Sequence, residues 1–411
     1  MIVVNPALQP LDSAFVELED IYSAPIFDPL DIIVESAAGV WLTDTHGRRF
    51  LDCLSAYSAV NQGHRHPRII DALKSQADRM TICARAIRNT VLPHFLERVC
   101  TFAGQDQAIP MNSGSEAVET AIKLARRWGY TTKHIPDGRA QVIVCDGNFH
   151  GRTTTIVGFS PTPEYRAGFG PFAAGFRTVP FGDIAALESA IGPETCAFLV
   201  EPIQGEGGII VPPPGYIAAA RALCAERDVL FVADEIQTGL GRTGYDIACM
   251  HDGVKPDVLI LGKALSGGCY PISAVLASRE IMSVLRPGEH GSTFGGNPLA
   301  AAIGIAALDV VEQEHLAERA RESGEKILAL LRGIDSPLIV EVRGRGMLIG
   351  IELTIPARRL VDALLHYGVA AKDAHETVIR ITPPLIITAE EIAYLGSAMT
   401  RAFAELDAGL P

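Results

Sequence analysis

Between about residues 110 and 280, stretches of helical periodicity alternate with short runs that are almost entirely apolar and rich in β-branched residues. These runs are residues 141–145, 197–200, 229–233, 258–261 and 273–277. A strand that is apolar along its whole length is covered on both faces, and intervening helices favour parallel neighbours. We therefore predict an α/β fold with a mainly parallel sheet, with functional groups at the C-terminal ends of its strands.

A helix is predicted to begin at Ser113. Ser113 and Glu116 have the spacing of a capping box, in which each side chain bonds the other's backbone N–H. Apolar residues then follow at helical spacing: Val118, Ile122, Leu124, Ala125 and Trp128. Gly114 loosens the first turn of this helix.

The C-terminal part of the chain has a different pattern. Residues 339–353, 369–372 and 378–382 are predicted as short strands, and a helix is predicted to start at the capping box of Thr388 and Glu391. This pattern indicates a second, smaller α+β unit from about residue 300. Since no Ser/Gly-rich linker or internal repeat separates the two units, they should share a broad interface.

Composition narrows the function classes. The 411 residues are 48% hydrophobic and 20% charged, which is typical of a globular chain with two or three structural units. The formal net charge of −13 repels polyanions and argues against nucleic-acid or anionic-membrane partners. An anionic ligand must therefore bind at a local cluster of donors.

The eight cysteines are scattered without a C-x-x-C pair, which favours reduced thiols in a cytoplasmic protein over disulfides or a metal site. Residues 1–10 have neither the positive flank nor the cleavage site of a targeting signal, and no stretch reaches the about 18 apolar residues of a membrane span. We expect a cytoplasmic protein without a metal or a membrane anchor.

Two residues follow predicted strands and carry chemistry. Asp234 comes directly after the run 229–233, and Lys263 comes after the run 258–261 among apolar neighbours. Such neighbours lower the pKa of an amine and make it a nucleophile toward carbonyl groups. Taken singly, these residues could be a helix-capping carboxylate and a solvated lysine. Together they suit a cofactor with a pyridinium nitrogen and an aldehyde, pyridoxal 5'-phosphate.

The remainder of such a cofactor would also find partners. The backbone N–H groups at Ser113, Gly114 and Ser115, at a helix start, would bind the phosphate. Phe149 would stack on one face of the ring, and Ile236 would pack on the other. Taken alone, these features are equally those of an ordinary capped helix and a core aromatic residue.

Six motifs occur in the order found in class-III aminotransferases, the ω-aminotransferase group of the fold-type I pyridoxal-phosphate enzymes. They are PMNSGSEA at 110–117, NFHGRT at 148–153, VEPIQGE at 200–206, DEIQTG at 234–239, LGKALSGG at 261–268 and GSTFGGNP at 291–298. The chain resembles this family over nearly its whole length. The resemblance implies a large domain with a seven-stranded, mainly parallel sheet at 46–300, a small α+β domain at 301–411, and an N-terminal segment, 1–45, that packs with the small domain.

The resemblance also implies cofactor roles. Lys263 would bind the cofactor aldehyde covalently and, once released, carry a proton to and from the substrate carbon. Asp234 would keep the ring nitrogen protonated, and Gln237 would bond the ring's phenolic oxygen.

Family members complete the phosphate site across a subunit boundary. The resemblance assigns phosphate binding to the backbone of Gly114 and Ser115, and it assigns Thr293 to the active site of a partner subunit. A homodimer is therefore implied.

Within the family, the resemblance is to members that transfer the terminal amino group of ornithine to 2-oxoglutarate, giving glutamate 5-semialdehyde. It rests on SAYSAVNQGH at 55–64, RWGY at 127–130 and GEHGST at 288–293.

In these members the substrates are sorted by a switchable ion pair. Arg380 would bind the α-carboxylate of the keto acid, and Glu206 would neutralise Arg380 when the diamino acid binds. Tyr57 would help to hold that pair, and Arg152 would bind the distal carboxylate. Glu201 is placed with the substrate-binding residues.

Two positions depart from this pattern. Phe27 stands where a tyrosine is usual, and His150 stands where a tryptophan is usual and matches members that act on N-acetylornithine. Losing a buried donor changes recognition by about 1–3 kcal/mol. The alternatives are N-acetylornithine, 4-aminobutyrate, lysine or a specialised ω-amine as donor, an aminomutase, and a cofactor-binding protein without catalysis.

Overall fold

The structure, a computed structural model, describes residues 13–409, so the expectation for residues 1–10 lies outside the described part. The strands are β1 Val34–Ala38, β2 Trp41–Asp44, β3 Arg49–Asp52, β4 Gln107–Met111, β5 Gln141–Cys145, β6 Phe176–Val179, β7 Thr195–Val200, β8 Leu230–Asp234, β9 Val258–Leu261, β10 Ser273–Ala277, β11 Ile339–Arg345, β12 Leu348–Leu353, β13 Val369–Ala370, β14 Lys372–His375 and β15 Val378–Ile381. The helices are α1 Ser13–Tyr22, α2 Ser55–Ser58, α3 Pro67–Ala77, α4 Leu92–Ala103, α5 Gly114–Thr131, α6 Thr154–Val157, α7 Pro163–Arg166, α8 Ile184–Ala190, α9 Tyr216–Glu226, α10 Arg279–Met282, α11 Pro298–Gln313, α12 Leu316–Arg332, α13 Ala357–His366 and α14 Ala389–Asp407, with short 3-10 helices at Ala248–Asp252 and Lys263–Ser266.

The largest sheet has seven strands in the order β4-β10-β9-β8-β7-β5-β6. The five neighbouring strands β6, β5, β7, β8 and β9 pair in parallel, whereas β10 runs antiparallel to both β9 and β4. The predicted α/β fold with a mainly parallel sheet is therefore confirmed. The two edge strands, β4 and β6, were not predicted from the sequence. β4 contains Pro110, which is tolerated at a sheet edge, and β6 exposes Arg177 and Thr178.

Helices cover both faces of this sheet. Along β7, Ala197 and Leu199 join the buried cluster that contains α5, whereas Phe198 and Val200 join the opposite cluster with α4 and α9. The alternation follows from the period of two along a strand. The helix predicted from Ser113 is α5, and both halves of its capping box are present.

The C-terminal unit is built on an antiparallel sheet in the order β11-β12-β15-β14. The strands predicted within 339–353 and 378–382 are confirmed, as is the capping box that starts α14. The strand predicted at 369–372 is wrong as a single element. Val369–Ala370 pairs in parallel with β3, whereas Lys372–His375 pairs with β15.

The two units share one buried cluster, as the lack of a linker predicts. This cluster contains Leu51 and Ile69 from the larger unit together with Leu364 and Phe403 from the smaller one. Helix α11 packs on both α3 and α4. The division into 1–45, 46–300 and 301–411 stays a prediction, and its outermost residues, 1–12 and 410–411, lie outside the described part. The cysteines are all free, six of them buried. Within residues 13–409, none of the helices is long and apolar enough to cross a bilayer.

Gly324 provides a test of the packing between α12 and the turn that joins β11 to β12. A Cβ at Gly324 would overlap the backbone of Gly346 in that turn. We expect Gly324→Ala to lower the free energy of unfolding by about 2–3 kcal/mol, because backbone must move to admit the methyl group. The matched control is Gly333→Ala at the end of the same helix, where the nearest atoms lie 3.4 Å away. Urea titration of both variants checks this; an equal, small effect of the two substitutions would contradict it.

Candidate active site

The candidate nucleophile lies at the C-terminal edge of the seven-stranded sheet. Lys263 follows β9 and opens a 3-10 helix with a φ of +43°. This left-handed conformation costs a residue with a side chain about 1–2 kcal/mol, and such strain clusters at functional sites. Burial lowers the pKa of Lys263 below its ordinary value, and the charge of Arg380 adds to that effect, although nearby carboxylates oppose it. The direction of this shift brings the neutral, nucleophilic form of the amine within easier reach.

Asp234, the last residue of β8, is paired with a histidine. Its Oδ2 lies 2.6 Å from Nδ1 of His150, and both side chains are buried. Its Oδ1 accepts a hydrogen bond from the backbone N–H of Ile236 at 3.1 Å. Burial alone would lower the pKa of His150, but the hydrogen bond and charge of Asp234 outweigh it and raise the pKa. His150 is therefore held as the buried hydrogen-bond partner of Asp234.

The sequence analysis noticed His150 only as a departure from a family pattern and missed this pairing. The two residues are 84 positions apart, so no local spacing links them. Only the sheet topology linked the two residues. Both lie at or after the C-terminal ends of strands in the same parallel sheet, and these strand ends lie along one edge.

Glu201 directly follows β7 and is buried between two loops. It accepts hydrogen bonds from the backbone N–H groups of Phe149 at 2.9 Å and Gly205 at 3.3 Å. Burial raises its pKa to about 7, an effect that His150 reduces and Asp234 increases. In the structure this carboxyl holds the Phe149 loop against the loop that carries Glu206.

The N-terminus of α5 forms a cradle beside this edge. The capping side chain of Ser113 accepts the N–H of Glu116 at 3.1 Å, so the N–H groups of Gly114 and Ser115 are left without a partner inside the helix. A Cβ at Gly114 would lie 2.9 Å from Ile236, and a Cβ at Gly151 would overlap the Ser115 hydroxyl. Positions 114 and 151 therefore leave no room for a side chain at this helix end.

Phe149 lies in a small aromatic group with Arg152. The guanidinium of Arg152 is 6.0 Å from the centre of the Phe149 ring and 4.2 Å from that of Tyr165, and it donates to the Tyr165 hydroxyl at 3.0 Å. The structure thus brings Arg152, an exposed residue, to the predicted stacking residue.

The predicted ion pair joins the two units of the chain. Arg380 on β15 is 1% exposed, and its Nη1 lies 2.5 Å from Oε1 of Glu206. Its guanidinium lies 5.2 Å from the centre of the Tyr57 ring. Nε and Nη2 of Arg380 are buried without a hydrogen-bond partner among the described residues. These free donors are arranged for a planar carboxylate.

The electrostatics of this pair favour the ionised form of Glu206. Burial alone raises the pKa of Glu206, but the charges of Arg380 and Lys263 outweigh it and leave the pKa below its ordinary value. Gln237 also bonds to Glu206 and donates to the Tyr57 carbonyl at 3.5 Å. The predicted partner of the cofactor ring therefore contacts the predicted substrate switch.

Tyr57 lies in α2, which is a left-handed turn. All four residues of Ser55–Ser58 have a positive φ, between 46° and 70°. Asp52 holds the turn by accepting the N–H groups of Leu54 and Ser55, at 2.9 and 2.8 Å, and its other oxygen lies 2.7 Å from Nε2 of His64. The sequence analysis missed Asp52 and His64, because nothing local marks a left-handed turn that lacks glycine.

Two predicted residues lie apart from this cluster within the single chain. Phe27 is 77% exposed, next to Asp28, which pairs with Arg358 at 2.7 Å. Thr293 is exposed in the loop after Ser292, whose hydroxyl accepts a hydrogen bond from Asn112 at 3.0 Å. The sequence analysis assigned Thr293 to a partner's site, so its exposure in one chain leaves that prediction open.

Comparisons with known proteins agree with this geometry. A family model for class-III aminotransferases matches residues 22–403. An ornithine aminotransferase of Halalkalibacterium halodurans is 54% identical over 385 residues, which cover 94% of this chain and 97% of that protein. A crystal structure of the Toxoplasma gondii ornithine aminotransferase superposes with a TM-score of 0.96 at 41% identity, covering 97% of this chain and 96% of that one. An acetylornithine aminotransferase of Elizabethkingia anophelis superposes with a TM-score of 0.88 at 44% identity, covering 96% and 99%.

The raised pKa of Glu201 predicts a pH-dependent stability. Its carboxyl titrates near 4.5 when exposed and near 7 in the fold, so between these values the folded state holds a proton that the unfolded chain releases. Folding stability must therefore fall as the pH rises through this window. We expect Glu201→Gln to remove up to roughly 3 kcal/mol of that fall.

Urea unfolding at a series of pH values measures the effect. Glu226→Gln, which removes an exposed carboxyl, is the control and should keep the wild-type slope. A Glu201→Gln slope that is indistinguishable from the wild-type slope would show that this carboxyl is ionised throughout.

Proposed function

The chain belongs to the class-III aminotransferases, and from that premise we propose that it transfers the terminal amino group of ornithine to 2-oxoglutarate, giving glutamate 5-semialdehyde and glutamate. One observation carries the choice of substrates: the ion pair of Arg380 and Glu206 lies near Lys263, in a chain 54% identical to an ornithine aminotransferase. Such a pair allows one site to bind both substrates that have a carboxylate beside the reacting carbon and substrates that lack one.

The cofactor of this reaction is pyridoxal 5'-phosphate, which the Toxoplasma gondii enzyme holds in its active site. When bound, it supplies a protonated ring that accepts the electrons of the substrate carbon during amino transfer. The residues fit its parts. The free N–H groups of Gly114 and Ser115 suit its phosphate, and the Asp234 carboxyl, which His150 holds by a hydrogen bond, suits its ring nitrogen.

The remaining groups divide the work around the reacting atoms. Lys263, with its lowered pKa, would hold the cofactor through its aldehyde and would carry a proton to and from the substrate carbon. Gln237 suits the phenolic oxygen, and Ile236 and Phe149 suit the two faces of the ring. Each of these roles is a proposal that rests on the positions described above.

Arg380 and Glu206 sort the two substrates. With the pair closed, Glu206 neutralises Arg380, so a substrate that brings its amine first meets no net positive charge. When a keto acid arrives, the unpartnered Nε and Nη2 of Arg380 bind its α-carboxylate. Arg152 binds the distal carboxylate of either substrate. Glu201 supports the site by holding the loop that contains Phe149.

N-acetylornithine is the second candidate donor. His150 matches the residue found in enzymes that use it, and the Elizabethkingia anophelis acetylornithine aminotransferase is 44% identical to this chain. Phe27 has no hydroxyl with which to bond an α-amino group, which favours a donor whose α-amine is blocked.

We further propose that the protein works as a homodimer in the cytoplasm. The described part of the N-terminal segment exposes a series of large apolar residues, and a group of exposed apolar residues of this kind supports a protein interface. Its members are Phe15, Leu18, Ile21, Tyr22, Ile26 and Phe27. Phe294, beside Thr293, is also half exposed. The interface would bring Thr293 to the partner's phosphate site, and the eight free cysteines suit a reducing compartment.

The donor is tested by adding single amines to the cofactor-loaded protein and following the loss of the aldehyde absorbance. Ornithine, N-acetylornithine, lysine and 4-aminobutyrate form the panel. We expect kcat/KM for ornithine to exceed the others by on the order of tenfold, with glutamate 5-semialdehyde as product and a requirement for 2-oxoglutarate in steady state. Rapid reaction of another amine without semialdehyde from ornithine would refute the donor but leave the class intact. Turnover without any keto acid would identify an aminomutase instead.

A further inference from the structure

The sheet of the C-terminal unit aligns two arginines across three strands. Arg343 on β11 pairs with Gly350 on β12, and Gly350 pairs with Arg380 on β15. Directly paired residues project from the same face of a sheet. Arg343 and Arg380 therefore extend from one face, separated by a position without a side chain.

The loop that carries Glu206 lies on this row. It is a tight turn, in which the N–H groups of Gly208 and Ile209 both donate to the Gly205 carbonyl at 3.2 Å. Ile209 is fully buried with a φ of +54°, and a Cβ at Gly350 would lie only 3.0 Å from its Cβ. The gap at Gly350 is thus filled by Ile209.

Arg343 binds this loop through its carbonyl groups. Its Nη2 donates to the Gly208 carbonyl at 2.8 Å, and its Nε lies 3.1 Å from the carbonyls of both Gly208 and Ile209. On its other side, Nη1 donates to Glu341 at 2.7 Å and to Glu352. All three nitrogens of the guanidinium are therefore used, and each joins the sheet or the loop.

We propose that Arg343 is a positioning residue that holds Glu206 against Arg380 and thereby sets the choice between ω-amines and α-carboxylate substrates. The inference rests on the proposed function, which it deepens. Arg343 contacts the loop two and three residues after Glu206 and acts only through that loop.

Arg380 is anchored in β15, whereas Glu206 is held in place by its loop. Without Arg343 the turn keeps the packing of Ile209 and the bond of Gly205 to Glu201, but the carbonyls of Gly208 and Ile209 lose their bonds to the C-terminal sheet. The Glu206 carboxylate is then paired with Arg380 for a smaller fraction of the time. Arg380 is therefore open to α-carboxylates even when the substrate is an ω-amine.

Two substitutions disturb the loop in different ways. Arg343→Gln removes the bonds to Gly208 and Ile209, and Gly350→Ala forces Ile209 away while leaving Arg343 in place. Arg343→Lys keeps the charge but has only one donor group, so it should retain part of the wild-type substrate preference. The control is Arg332→Gln, because Arg332 donates to the Val342 carbonyl next to Arg343 and does not reach the loop. Glu206→Gln shows how far the substrate preference changes when the ion pair with Arg380 is lost completely.

The measurement is the half-reaction of the cofactor-loaded enzyme with glutamate and, separately, with the ω-amine that the wild type uses best. We expect Arg343→Gln and Gly350→Ala each to lower the ratio of kcat/KM for the ω-amine to that for glutamate by on the order of tenfold. The change should lie in KM, which rises for the ω-amine and falls for glutamate, with each kcat within about twofold of wild type. A purely structural role would lower both reactions together.

An unchanged ratio in both variants, or an equal shift in Arg332→Gln, overturns the inference. The wild-type panel tests the proposed donor separately, since failure with ornithine changes only the ω-amine used here. If one variant does not fold, the other decides the question alone.

Discussion

The candidate site depends on one buried amine, Lys263, whose charged form is disfavoured by burial although several charged groups surround it. Burial and Arg380 lower the pKa of Lys263, whereas Glu206, Asp234 and Glu201 act in the opposite direction. Each of these carboxyls is engaged elsewhere. Glu206 binds Arg380, Asp234 binds His150, and Glu201 accepts two backbone N–H groups. The contacts that prepare the cofactor and substrate sites therefore also limit the proton affinity of Lys263.

The fold brings these groups together from distant parts of the chain. Parallel pairing places the ends of β7, β8 and β9 side by side, which brings Glu201, Asp234 and Lys263 to one edge. Arg380 comes from the other unit, on an antiparallel sheet whose row of Arg343, Gly350 and Arg380 receives the Glu206 loop. The ion pair proposed to sort the substrates thus lies at the junction of the units, whereas the residues proposed to hold the cofactor lie mainly within the larger one.

Sequence patterns predicted what depends on local order. The buried strands and the capping boxes were evident from apolar runs and from Ser-x-x-Glu and Thr-x-x-Glu spacing, and the motifs placed Lys263 and Asp234 at strand ends. The edge strands β4 and β6 were missed because they are short and half-exposed. The bonds of Asp234 to His150, and of Arg343 to Gly208, join residues 84 and 135 positions apart, and only the paired sheets bring them together. The left-handed turn at Tyr57 was missed because it contains no glycine, the residue that normally signals a positive φ.

The most direct test of the account is to trap the cofactor on the protein. Borohydride reduces the bond between an amine and a bound aldehyde to a stable linkage, and peptide mapping by mass spectrometry then locates it. The account predicts the added cofactor mass on the peptide that contains Lys263, and its loss from that peptide when an ω-amine is added before reduction. A label on a different lysine, or none on a protein that still transfers amino groups, would contradict it.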